Sequence, residues 1–434
     1  MYFYHSFFGI VLAICIAMSG VDYKTSVKRD VEFSTFQGQY LSVYTLAYFA
    51  DWLKGPYVYV LYESYGLSEH DIAMLFVSGF VASAISGPFV GALADRFGRK
   101  KMCLAYFVIY IMSAGTKWSD DFHWLLVGRL LGGIGTSLLT TTFESWMVSE
   151  HHRRKFEPGL LDDTFVKSSL CNSGSAVLAG LLAQVAATYY GFIAPFVVAL
   201  APLVVGLICC ARWWLDDKPS EANKGGFQKG LAAMNHNLWI LGITESLFLG
   251  SMYTFVFLWT PTLEDSNTPF GLIFSIFMVM ISIGSGIFKR VAMDKERWPF
   301  IIFGVATLCF GATSLQIKNH PVVFGMFVLF ETVCGMMFPV YGSLRSMHIP
   351  EEHRTTIMNI YRIPLNVFVI IILLNKKNMQ LNTTFGVCSA ANLIALVLWS
   401  WFKTAPKQYE PVDQEEPVDQ EEDFGDLEEI NGMD

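Results

Sequence analysis

Charge is scarce in this sequence: Asp, Glu, Lys and Arg make up 16% of its 434 residues, while 53% are hydrophobic and 15% aromatic. A water-soluble domain cannot cover its surface with so few charges, so a soluble globular chain is excluded. Ligand spacing is missing as well. The eight cysteines (15, 103, 171, 209, 210, 309, 334 and 388) fall within or at the ends of apolar runs, which points to neither a zinc site nor a disulfide framework. The histidines, among them His70, His123, His151, His152, His236 and His353, sit mostly in polar connections without metal spacing. With no nucleophile, base or metal constellation, the sequence points to no enzyme, no cofactor and no nucleic-acid partner.

What the chain has is apolar runs near the roughly 20 residues that span a bilayer as helix. They recur at 3–19, 41–62, 72–94, 103–117, 124–148, 168–187, 193–213, 238–260, 269–288, 299–315, 322–344, 357–374 and 384–402. The runs are continuously apolar rather than alternating, so the expected fold class is an all-α membrane protein in contact with the lipid bilayer, not a barrel. Lysines and arginines place the chain relative to the membrane, because cytoplasmic loops accumulate them. The clusters Arg96, Arg99, Lys100, Lys101 and Arg153, Arg154, Lys155 fall on one side, and Lys117, Lys318, Lys376 and Lys377 on the other. The first run, within 1–20, reads as an extra N-terminal helix or signal anchor, although Ala17-Met18-Ser19 also has the small-x-small pattern of a cleaved leader.

Polar, glycine-containing residues 214–237 split the other twelve runs into an N-terminal bundle, 41–213, and a C-terminal bundle, 238–403. SEHHRR at 149–154 and PEEHRT at 350–355 occupy corresponding places in the two halves. From residue 405 onward lie twelve acidic residues and one lysine, so a body of net charge +3 hides beneath the overall −8. The tail, 404–434, repeats EPVDQE, cannot bury a core, and is expected to be a disordered cytoplasmic terminus, available to a cytoplasmic partner.

The connection GALADRFGRKK, 91–101, resembles the signature of the major facilitator superfamily through Gly91, Leu93, Asp95, Arg96, Gly98, Arg99, Lys100 and Lys101. The resemblance implies a fold of two six-helix bundles with pseudo-two-fold symmetry. It also makes Gly91, Asp95, Arg96, Gly98 and Arg99 a cytoplasmic gate, with Asp95 at a helix N-terminus or paired with an arginine. GRLLGGIGTSL supplies the family's Arg129 and Gly133, while the glycine-proline pattern of antiporters is absent from the fifth helix, which implies import or symport. DWLKGPYVYVLY, FVFLWTPTL, CGMMFPVYGSLR and YRIPLN make the chain similar to the molybdate-anion transporter branch of that family. The branch implies uptake of molybdate, a tetrahedral dianion, across what is expected to be the plasma membrane.

The residues themselves show where charge enters apolar segments, at a cost of about 2.5–3.5 kcal/mol each at the bilayer centre. Counting helices from residue 41, Asp51 and Lys54 lie on the first, Arg129 and Glu144 on the fourth, Glu245 on the seventh, Glu331 on the tenth and Arg362 on the eleventh. In the resembled fold these helices surround or border a central cavity, so all seven side chains are expected to face one hydrated vestibule. Asp51 and Lys54, about 300° apart around a helix, share one side, and Arg129 and Glu144 share a stripe about 22 Å long. Pro56 and Pro364 each remove a backbone hydrogen bond.

Arginine's planar, permanently charged fork suits an oxyanion, which makes Arg129 and Arg362 the first substrate ligands and Lys54 the next. Tyr57, Thr140, Thr141, Tyr253, Tyr341 and Tyr361 offer further donors. Moving a dianion inward against an inside-negative potential costs roughly 4.6 kcal/mol per 100 mV. Proton symport offsets that cost if Glu144, Glu245 or Glu331 loads as a neutral acid, with Asp51 a charge partner. Two other readings stay open: a facilitator of a small organic solute stacked on Trp52, Trp146 and Trp259, and a non-transporting receptor or scaffold.

Overall fold

A computed structural model describes residues 2–19, 30–215, 231–265, 268–349, 354–375 and 379–402. Most of the 214–237 connection, the 350–353 part of PEEHRT and the acidic tail therefore lie outside the described residues. Among the described residues the chain is helical and without strands, as a backbone in hydrocarbon must be to satisfy its own polar groups. Among the described residues nine helices are long and apolar enough to cross a membrane, and the shorter apolar helices 3–18 and 360–374 accompany them.

Helix α1 covers Tyr2–Ser19, and the first bundle follows: α2 (Val31–Lys54), α3 (Val58–Ser64), α4 (Glu69–Phe97), α5 (Arg99–Gly115), α6 (Phe122–Arg153), α7 (Pro158–Tyr190), α8 (Ala194–Val198) and α9 (Leu200–Trp213). A 3-10 turn, Gly55–Tyr57, joins α2 to α3 into one bent span. The second bundle comprises α10 (His236–Leu263), α11 (Phe270–Arg290), α12 (Trp298–Leu315), α13 (His320–His348), α14 (Arg354–Leu374) and α15 (Leu381–Trp399). The helix order is the expected one of two helical bundles, with one additional N-terminal helix.

The helix starts are written in short polar side chains. Asp30 accepts from the Phe33 amide at 2.6 Å, Asp121 from the amides of His123 and Trp124 at 2.9 and 3.1 Å, and Asn235 from Leu238 at 2.9 Å. Gly98 alone separates α4 from α5, at φ +98°, a conformation that glycine adopts without strain. The turns 98 and 154–157 define a basic end of the molecule; the opposite, far end carries residues 65–68, 116–121 and 191–193.

Two spans begin earlier than their apolar runs. α2 starts at Val31 and α7 at Pro158, each ten residues ahead of the apolar run, because their polar first turns bond to each other. Gln37 Nε2 donates to Asp163 Oδ2 and Thr164 Oγ1, both at 2.9 Å, while Lys167 Nζ lies 3.1 Å from Asp163. Helix α1 packs on α11, with Arg290 donating to the Met18 carbonyl at one end, while at the other Phe3, Tyr4 and Phe7 ring Phe324 of the neighbouring α13.

The bundles meet chiefly through α7 against α11 and α4 against α14. Gly180 and Gly271 let the first pair approach so closely that a Cβ on Gly180 would lie 2.8 Å from the Gly271 carbonyl. Gln184 Oε1 accepts from the Gly271 amide and from the Tyr57 hydroxyl, both at 2.9 Å, and Ser275 donates to the Val177 carbonyl at 2.9 Å. Toward the far end, aromatic pairs Phe76–Phe257 and Phe80–Tyr253 close the seam at 5.0 and 5.3 Å.

Replacing Gly180 by Leu should overpack this crossing at a cost of about 1–3 kcal/mol. The expected result is a thermal midpoint lowered by several degrees in detergent, roughly as such a loss implies, with Gly174→Leu, where nothing lies within 4 Å of the added carbon, as the unchanged control.

Candidate functional site

The bend at Gly55-Pro56 shapes the site. Pro56 lacks an amide proton, so the helix tightens into the 3-10 turn just after Lys54 and leaves Asp51 and Lys54 facing a cavity of about 280 Å³ lined mostly by the first bundle. Lys54 Nζ lies 3.4 Å from Asp51 Oδ1 and 3.6 Å from the centre of the Tyr110 ring. Tyr110, from α5, donates to Asp51 at 2.9 Å and lies 2.9 Å from the Thr136 hydroxyl of α6.

Arg129 enters the same cavity from α6. Its Nε donates to the Leu75 carbonyl at 3.1 Å, its guanidinium lies 4.4 Å over the Phe76 ring, and Gly79 leaves room for it on α4. A fourth charged residue joins from the far-end turn: Lys117, only 4% exposed, donates to the Tyr62 hydroxyl at 2.8 Å. Among the described residues no carboxylate lies within 4.0 Å of Arg129 or Lys117. Three basic residues and one carboxylate thus line a single cavity, a formal excess of two positive charges, with burial and the neighbouring Arg129 and Lys54 pushing Lys117 well below the usual lysine range.

The expectation of one vestibule shared by seven charges needs correction. Glu144 instead lines a separate cavity of about 640 Å³ at the basic end, with Arg99, Thr140, Ser145 and His152. Thr136, Thr140 and Glu144 are exposed at successive turns of α6, so one polar stripe runs from the Arg129 cavity to the Glu144 cavity. Glu245 is ion-paired with Arg345 of α13 and has little exposure. Glu331, on the same helix, is 5% exposed and lines neither cavity. Arg362 reaches from α14 across the seam to Gly87 of α4, outside the lining of the Arg129 cavity.

The remaining sequence candidates divide just as clearly. Trp52 lines the cation-rich cavity, but Trp146 stacks on Trp214 at 3.8 Å and Trp259 packs against Phe270 and Phe277, so two of the three rings proposed for an organic solute are core. Tyr341 is bonded to Thr244 and Tyr361 to the Leu238 carbonyl. Of the signature turn, Arg96 is exposed, Gly98 makes the one-residue connection and Arg99 faces Glu144's cavity. The burial of Gly91 and the side chain of Asp95 lie outside what the structure describes.

Lys117 and Arg345 are functional or structural charges that spacing missed. Both follow the last residue of an apolar run or sit at its very edge, where a basic residue reads as a loop anchor. The signal available for Lys117 was its rarity, as one of few cations assigned to the sparse side.

Known proteins place this architecture. A family model described as sugar transporters, 12 TM, matches residues 2–344, and one described as Major Facilitator Superfamily matches 266–425. The chain is 33% identical to a molybdate-anion transporter of Takifugu rubripes over 91% of this chain and 94% of that one. To a molybdate-anion transporter of Danio rerio it is 31% identical, over 82% and 84%. Among solved structures, the POT family transporter PepTSo superposes with a TM-score of 0.70 at 10% identity, covering 85% of this chain and 97% of that one. A D-xylose-proton symporter gives 0.68 at 13% identity, covering 86% and 98%.

Cysteines introduced at Thr140 and Glu144 should react with a membrane-impermeant maleimide applied to the basic end of sealed vesicles. A cysteine at fully buried Phe143 should stay unlabelled; equal labelling at all three positions would remove the aqueous stripe.

Proposed function

Starting from the fact that the chain belongs to the molybdate-anion transporter branch of the major facilitator superfamily, we propose that it carries a tetrahedral oxyanion such as molybdate by alternating access. As a member of that family it is a multi-pass membrane protein and a secondary transporter rather than an enzyme. The observation that carries the choice of an oxyanion is the gathering of Lys54, Arg129 and Lys117 around one cavity with Asp51 as its single carboxylate, a formal excess of positive charge balanced by a bound dianion, which itself favours the charged form of Lys117. An uncharged organic solute would leave that excess uncompensated, and only Trp52 of the three candidate rings is placed to stack on one.

In this reading Arg129 donates its fork to two oxyanion oxygens, and Lys54 and Lys117 supply point charges. Asp51 holds Lys54 and Tyr110 in place and limits how tightly the anion is kept, so that it can leave. Arg362 acts at the seam between the bundles. If the basic loops are cytoplasmic, the structure is inward-facing: the far-end seam is shut, and the polar stripe of α6 leads from the cavity to the Glu144 chamber. Gly91, Asp95, Arg96, Gly98 and Arg99 then form the gate at that chamber's mouth.

Inward movement of a dianion needs a driving ion, and among the described residues Glu144 and Glu331 are in no ion pair and are placed to serve it, whereas Glu245 is committed to Arg345. Removing a hydrogen-bonded charge contact of about 1.5–3 kcal/mol lowers affinity roughly ten- to a hundredfold.

Arg129→Gln should therefore reduce uptake of labelled molybdate into vesicles at least tenfold, with tungstate competing and sugars not; full uptake by the variant would refute the site. Asp51→Asn should lower KM and slow turnover together. An imposed inward proton gradient should raise the initial rate in the unmodified protein, and indifference to it would exclude proton coupling.

A further inference from the structure

Occupancy can rock two bundles only if the ligand interacts differently with them in the two states, because a ligand shifts an equilibrium by its differential affinity alone. The cavity described above poses this problem sharply. Its charged groups all belong to the first bundle: Asp51 and Lys54 on α2, Lys117 in the far-end turn and Arg129 on α6. An anion held by these four would ride with the first bundle and leave the second indifferent to its presence.

One lining residue comes from the second bundle. Tyr253, on α10, closes the cavity from across the seam, its ring 5.3 Å from that of Phe80 on α4. Among the described residues its hydroxyl makes no hydrogen bond, in contrast to Tyr110 in the same cavity, whose hydroxyl is engaged by Asp51 and Thr136. Tyr253 also stands within electrostatic reach of Arg362, the other second-bundle group that crosses the seam.

Resting on the oxyanion reading above, we propose that Tyr253 is the second bundle's ligand to the bound anion, its phenolic hydroxyl donating to an oxyanion oxygen. This contact exists only while α10 lies against α4. It makes binding stronger in the state with the far-end seam closed, and so converts occupancy of the first bundle into a force on the second. The specificity consequence is that an oxyanion needs an acceptor oxygen directed at the seam in addition to those that face Arg129.

The test uses the full chain in detergent, on a cysteine-depleted background, with spin labels at Asp120→Cys in the first bundle and Lys318→Cys in the second, both exposed at the far end. Molybdate is titrated while its affinity and the distance between the labels are followed. In the unmodified pair, saturating molybdate should shift the distance distribution. Tyr253→Phe should weaken binding roughly tenfold, as loss of a hydrogen bond to a charged group predicts, and should abolish the shift at saturation. Tyr59→Phe, which removes a hydroxyl from the same seam outside the cavity, should behave as the unmodified protein. The proposal stands only if Tyr253→Phe alters both readouts; a distance shift retained at saturation, or an unchanged affinity, overturns it. Failure of the unmodified protein to bind molybdate would instead overturn the oxyanion reading itself.

Discussion

Burying cations without counter-ions is expensive, and much of the first bundle is organised to make it tolerable. Arg129 gives one N–H to the Leu75 carbonyl and lays its plane over Phe76, Lys54 is held between Asp51 and the Tyr110 ring, and Lys117 leans on the Tyr62 hydroxyl. These partners are mostly neutral, so they solvate charge without cancelling it. That distinguishes the cluster from the Glu245–Arg345 pair, where each charge answers the other and nothing is left to attract a ligand. A cavity that must stay positive until an anion arrives has to be assembled from aromatic faces, hydroxyls and backbone carbonyls.

The same economy explains where the bundles touch. Most contacts across the seam are apolar or neutral: glycine against glycine on α7 and α11, aromatic rings at the far end, and an amide side chain shared by Gly271 and Tyr57, with Arg362 against Gly87 and Glu63 beside Glu264 as charged exceptions. Interfaces of this kind separate without stranding a buried charge, which suits a protein whose halves must part in every cycle. Among the described residues ion pairs are kept inside each bundle, as in the Gln37, Asp163 and Lys167 group that fixes α2 to α7.

Much of this was legible in the sequence, and the failures share one cause. The spans and the meeting of Asp51, Lys54 and Arg129 follow from apolar length, local chemistry and cost of burial, whereas the connection read as 91–101 shrinks to Gly98 alone because both helices extend through its polar residues. Helical spacing assigns a residue to a stripe, but the face that stripe presents depends on neighbours that come from elsewhere in the chain. Glu331 and Glu245 therefore turned into the second bundle's interior while Glu144 opened onto a different chamber. Lys117 was read as a loop residue because the turn that folds it inward, and the Tyr62 that receives it, are separated by 55 positions. Arg345 escaped notice because it lies one residue past an apolar run whose helix continues to His348.

The single glycine between α4 and α5 has a mechanical meaning. A longer connection would let the two helix ends drift apart, but a joint of one residue has no slack in length, so the end of α4 that carries Arg96 cannot move away from the start of α5. That helix carries Tyr110, whose hydroxyl fastens Asp51 to Thr136. A pull on the basic turn and a tug on the charged chamber are thus two ends of one stiff lever, with Gly98 as its fulcrum.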